Sequence, residues 1–167
     1  MGRWRPPAAP TSAYITQAGY TALEVELRQL WRRRSSVVAA LAAAAAEGDR
    51  SENAEYIYRK KELAGIDRRI RYLQKRLPNL RVIREFAGGE RVFFGAWVAL
   101  QGDTGAVTRY RVVGPDEATM APQFISMDSP LARAVLKRRV GDAVEVQQPE
   151  RVTTYTIVAV SYPDADE

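Results

Sequence analysis

The sequence predicts an α+β protein in two parts: an N-terminal antiparallel helical hairpin, then a sheet domain carrying one short helix. Three observations predict it. Two apolar seams with alternating steps of three and four residues occupy the first half. A glycine-marked turn separates them. After Asn79 the texture changes to short β-rich runs punctuated by Gly, Asp and Pro.

The first seam runs Leu23, Leu27, Leu30, Arg34, Val37, Leu41 and Ala44. That is a heptad pattern with one arginine in an apolar slot. Thr16 is a candidate N-cap, with Thr21 and Glu24 as an alternative start, and Gly48 is the stop. The second seam runs Tyr56, Arg59, Leu63, Ile66, Ile70, Leu73 and Leu77, with Gly65 as a weak point and Pro78 as its end. Each helix would be about 40 Å long at about 1.5 Å per residue. A short link lets the seams bury only each other, hence a hairpin.

Beyond it, strands are expected over 92–100, 107–113, 123–127, 143–146 and 152–162. A helix over 131–137 would be capped by Asp128 or Ser129, with Pro130 in its first turn. Trp97, Phe93 and Phe94 are expected in the core. The predicted organisation is a disordered extension over 1–13, a hairpin over 14–84 and a sheet domain over 85–167, with Gly88-Gly89 as hinge.

Composition narrows the chemistry. Among 167 residues there is neither Cys nor His. That excludes thiol nucleophiles, disulfides, Cys/His zinc sites and histidine bases. Absence of Cys fits the reducing cytoplasm. No apolar run is long enough to span a membrane, so no membrane partner is expected. The net charge of +5 is divided unevenly: residues 1–84 hold 17 basic and 8 acidic side chains (+9), and residues 85–167 hold 8 and 12 (−4). The basic half suits a polyanionic partner.

Against that basic background the turn between the seams is acidic: Gly48-Asp-Arg-Ser-Glu-Asn-Ala-Glu-Tyr56. Two readings stand side by side. Asp49 and Glu52 have capping-box spacing and would favour the positive end of a helix, with Ser51 as a competing cap. Alternatively, the carboxylates are hard oxygen donors presented at the end of a rod, able to complete a magnesium site whose other ligands come from a partner. Glu47, Asp49, Glu52 and Glu55 together supply more acid than a cap requires. The basic run of the second helix (Arg59, Lys60, Lys61, Arg68, Arg69, Arg71) reads either as a solvated face or as a phosphate-binding one.

The tip residues, with Tyr58-Arg-Lys-Lys61 and Ile66-Asp-Arg-Arg-Ile-Arg-Tyr-Leu73, resemble the bacterial Gre transcript-cleavage factors, the GreB type above all. Supporting matches are Ile15-Thr-Gln-Ala-Gly-Tyr20, Val92-Phe-Phe-Gly-Ala-Trp-Val98, Ile125-Ser-Met-Asp-Ser-Pro-Leu-Ala-Arg-Ala134 and Val140-Gly-Asp142. The resemblance covers residues 14–162. It implies an FKBP-like fold for the C-terminal domain. It also implies a factor that enters the secondary channel of bacterial RNA polymerase and stimulates the polymerase's own cleavage of the nascent RNA 3′ end in backtracked complexes. Such a factor is an accessory, not an enzyme, has no cofactor of its own and shares magnesium with the polymerase. By resemblance Asp49 and Glu52 are the functional acids, with Asp49 toward the second metal. Ser51, Asn53 and Tyr56 support the tip. The basic run faces RNA, and Asp128, Ser129, Pro130 and Leu131 face the polymerase. The Arg34 and Arg59 interruptions of the seams argue for a monomer.

Overall fold

The computed structural model describes residues 11–48 and 53–163. The chain divides into two compact units: Tyr20–Leu80, and the residues up to Gly19 together with those from Arg81 onward. Strand β1 (Tyr14–Thr16) leads directly into helix α1 (Gln17–Ala46). Helix α2 (Ala54–Arg76) follows and ends in a 3-10 turn over Leu77–Asn79, where Pro78 stops the α-helical ladder. Then come β2 (Arg81–Ile83), β3 (Trp97–Gln101), β4 (Val107–Val113), β5 (Phe124–Ser126), helix α3 (Pro130–Val135), β6 (Ala143–Gln147) and β7 (Val152–Ser161). Among the described residues no helix is long and apolar enough to cross a membrane.

In the first unit the seams do what their spacing predicts. At 30 and 23 residues the helices are about 45 and 35 Å long. Val37, Ile66 and Ile70 are buried together, with Leu27, Leu30 and Leu63 packed around them. Cross-helix partners run in opposite directions: Glu26 with Arg69, Arg33 with Glu62, Ala44 with Asn53. The hairpin is therefore antiparallel. The arginines that interrupt the seams are paired: Arg34 Nε lies 2.7 Å from Asp67 Oδ1, and Arg59 bonds Glu55 and Glu62 on its own helix.

The second unit is built on a five-stranded sheet of order β5-β4-β3-β7-β6. Its pairings are antiparallel except β4–β5, which is parallel, so the sheet is mixed. One face carries the core. Val98, Leu100, Val112, Val144 and Ile157 pack there with Ala132 and Val135 of α3. Strand β3 starts five residues later than the run of apolar residues suggests. Gly95 has φ +86 and Ala96 N–H closes a turn onto Phe93 C=O, so 92–96 is a bend. The helix spans Pro130–Val135, and Ser129, not Asp128, is its cap, accepting from Ala132 N–H.

Two features have no counterpart in the sequence expectations. β1 and β2 pair in parallel as a separate two-stranded sheet. Glu117, 1% exposed, accepts from Thr16 N–H (3.0 Å), Thr16 Oγ1 (2.5 Å) and Gly114 N–H (3.0 Å). Thr16 Oγ1 in turn accepts from Gly19 N–H, which makes it the cap of α1. Glycine is required on both sides of this carboxylate. A Cβ on Gly19 would lie 1.9 Å from Glu117 Oε2, and one on Gly114 would lie 1.9 Å from Tyr14 O.

Trp97 departs from its expected core position. The β3 register puts Val98 and Leu100 on the core face and Trp97 on the opposite one. There it is half-buried beneath Arg109, whose guanidinium carbon lies 4.8 Å from the ring centroid, and meets Phe124 edge-on.

Candidate functional site: the hairpin turn and the basic face of the second helix

Of the predicted tip residues, Asp49, Ser51 and Glu52 lie outside the described residues. The positions on either side of them define the frame. Glu47 and Gly48 follow the end of α1, and Gly48 has φ +122, a conformation open to glycine and strained for other residues. On the far side Asn53 caps α2: its Oδ1 accepts from Tyr56 N–H at 3.0 Å. This corrects the expectation that Asp49 or Ser51 is the cap. The reason is the second half of the Asn53 amide. Its Nδ2 donates to Ala44 C=O at 2.8 Å, tying the start of one helix to the end of the other. A carboxylate has no proton to give there, and a serine hydroxyl is too short to bridge both partners. Asn53 thus fills the cap position of α2 with its own side chain.

Glu55 sits in that first turn, as the helix dipole favours, and bonds Arg59 at 2.7 Å. Tyr56 is half-buried at its seam position. Among the described residues no group of three or more Asp and Glu side chains is placed to hold a metal ion.

The six basic residues assigned to a phosphate-binding face divide in two. Arg59 and Arg69 are committed elsewhere. Arg59 bonds Glu55 and Glu62, and the first of these contacts does most to raise its pKa. Arg69 holds Glu26 of α1 through two bonds of 2.6 and 2.9 Å. Lys60, Lys61, Arg68 and Arg71 are exposed and form no ion pair among the described residues. Lys61, Arg68 and Lys75 recur every seven residues and share one outward stripe about 20 Å long. The acids of α2 stand off that stripe. Glu62 is bound by Arg33, which holds its carboxyl below the usual range, with Arg59 adding to the effect.

An open groove of about 510 Å³ runs beside the stripe, lined by Leu30, Tyr58, Lys61, Gly65, Ile66 and Arg68 among others. The sequence reading missed Tyr58 and Tyr72, taking Gly65 only as a helix weakness. The signal was present: Tyr58, Gly65 and Tyr72 are seven residues apart, so they share one face.

In the sheet unit the four residues assigned to a partner surface have separate surroundings. Asp128 accepts from Ser12 N–H at 2.9 Å and is bonded by the Ser12 hydroxyl. Ser129 caps α3, Pro130 is exposed, and Leu131 packs against the core.

Two family models match successive parts of the chain. The N-terminal domain of GreA/GreB transcription elongation factors matches residues 13–82, and the C-terminal domain matches 87–162. A transcription elongation factor GreB of Xanthomonas axonopodis pv. citri is 55% identical over 165 residues, covering 97% of this chain and 98% of that one. The GreB of Pseudomonas aeruginosa is 48% identical over 167 residues, covering 99% of each. Among solved structures, Gfh1 of Thermus aquaticus is 28% identical, covers 91% of this chain and 99% of its own, and has a TM-score of 0.43.

Proposed function

The chain belongs to the GreA/GreB family of transcription elongation factors, and we propose that it stimulates transcript cleavage by delivering the acids of its hairpin turn to the active centre of RNA polymerase. The observation that carries this reading is the Asn53 cap. It starts α2 with the side chain of Asn53, so the cap position itself is held by a residue other than Asp49 or Glu52. Acids at this turn beyond the cap are suited to a partner's cation.

In this proposal the protein is an accessory factor, and the bond is broken in the polymerase. The hairpin enters the secondary channel, where about 35–45 Å of helix supplies the reach. The donor set, two carboxylates on a loop, fits a hard cation that keeps most of its ligands elsewhere. Magnesium shared with the polymerase would supply activation of the attacking water. Asp49 is the shared ligand and Glu52 orients the water or the metal's shell. Asn53 and Tyr56 hold the turn in shape, with Ser51 beside them. Lys60, Lys61, Arg68 and Arg71 attract the phosphates of the extruded RNA 3′ end, an interaction that weakens as salt rises. Arg59 and Arg69 contribute by fixing the helix surface. Pro130, exposed at the start of α3, is the contact point for the polymerase rim, framed by Asp128, Ser129 and Leu131. The factor acts as a monomer in the cytoplasm.

The test is RNA cleavage in a halted, backtracked elongation complex across a magnesium series. Asp49→Ala and Glu52→Ala are expected to abolish stimulation while leaving polymerase binding and the melting temperature near wild type. Full stimulation by the double variant would refute the proposal.

A further inference from the structure

The groove beside the basic stripe has a defined chemistry. Its floor is apolar, from Leu30 of α1 and Ile66 of α2. Gly65 creates the space: a Cβ there would meet nothing nearer than an Arg68 nitrogen at 3.8 Å. Tyr58, 60% exposed, stands two helical turns before the gap, and Tyr72, 43% exposed, stands two turns after it. A guanidinium lies against each ring, Arg59 at 5.5 Å from the Tyr58 centroid and Arg69 at 5.3 Å from that of Tyr72. Both arginines are themselves held by carboxylates. The rings therefore stand on a braced surface. Lys61 and Arg68 form the rim and have no acidic partner among the described residues. The acid in the lining, Glu62, is already bonded to Arg33 and Arg59.

A flat apolar group joined to negative charge fits this arrangement: the ring meets the floor and the tyrosine, and the charge meets the rim. A lipid chain or an apolar helix would leave the two cations unanswered. Stacking on an aromatic side chain next to a cationic track is the general way single strands are held without sequence readout.

We propose that the Gly65 groove is a base-binding subsite, which takes one unstacked base of a single-stranded RNA while Lys61 and Arg68 hold the flanking phosphates. It rests on the reading that the basic face of α2 meets RNA, and it adds a contact that depends on the base and not on charge.

The experiment measures fluorescence anisotropy of the full chain at low ionic strength with two labelled oligoribonucleotides of equal length and charge, one intact and one carrying an abasic site at its centre. The intact strand is expected to bind about tenfold more tightly, the scale of one stacked base. Gly65→Leu fills the groove with a better helix former, and Tyr58→Ala removes the wall. Each should bring the intact strand down to the abasic affinity and leave the abasic affinity unchanged. Lys61→Gln should weaken both strands alike and flatten the salt dependence. The melting temperature of Gly65→Leu, unchanged or raised, separates this loss from unfolding. Equal affinity of the wild type for both strands overturns the subsite while leaving the phosphate-binding face standing. Binding of neither strand refutes the RNA-facing surface, and the subsite falls with it.

Discussion

The hairpin and the sheet unit are held by different physics. Among the described residues Val37, Ile66 and Ile70 form a small buried cluster midway along the hairpin, with Leu23, Leu73 and Leu77 buried nearer its base, and ion pairs between the helices flank the cluster. The sheet unit buries nine in one cluster and roofs it with α3. A thin seam is what a rod allows, because two helices can bury one stripe each and must leave the rest to solvent. That exposed remainder is where the basic stripe and the groove lie. Stability of the sheet unit comes chiefly from burial, with the hydrogen-bonded Glu117 carboxylate inside it. That of the hairpin comes partly from charges, which salt screens.

The largest effect that would break this contrast lies in the sheet core. Leu100 is 1% exposed, and Leu100→Ala is expected to cost about 2–5 kcal/mol, because the surrounding strands cannot close over the cavity. Leu63→Ala in the half-exposed hairpin seam should cost less, in proportion to the smaller area it buries. Amide hydrogen exchange read region by region would separate the two. Equal losses would mean that the hairpin seam is as closed as the sheet core.

Asn53→Ala comes next. It removes both the cap and the link to Ala44, with an expected cost of about 0.5–2 kcal/mol. The protection lost should be confined to the ends of α1 and α2 nearest the turn. Asn53→Asp keeps the acceptor and loses the donor, so it should restore the cap and not the link.

The smallest effect is the pH response of Glu62. Its carboxyl titrates below the ordinary 4.5 in the folded protein, chiefly through Arg33. A depressed folded pKa means a stabilising contribution that is present above the unfolded value. It fades as pH falls from about 4.5 through the lower folded value. The contribution of this pair to the hairpin should therefore fade in acid. Glu62→Gln should flatten that part of the profile, as followed by helical circular dichroism.

The pattern of the chain made some of this legible and hid the rest. Heptad spacing predicted two facing helices, and the seam positions from Leu23 to Leu77 are all buried or half-buried. Thr16 and Ser129 were readable as caps because capping is decided within four residues. The same local rules misplaced the cap of α2, since Asp49, Ser51 and Asn53 all suit that role. The cap is Asn53, whose amide also donates to Ala44 C=O on the other helix, a contact that neither local propensity nor spacing reveals. The basic run likewise looked uniform in sequence. Opposing carboxylates on α1 and α2 divided it into paired arginines and outward cations.

By itself the sequence determined what short windows encode: two amphipathic helices, their stops, the alternation of the strands and the acidic turn in a basic half. Tertiary structure alone decided the pairings that span the chain. Thr16 meets Glu117 across 101 positions, β1 lies beside β2, and Trp97 faces away from the core. The physical reason is range. Backbone propensity and side-chain period act over a few residues, whereas a buried carboxylate or a strand partner is chosen by whatever donors and edges the folded chain brings within about 3 Å.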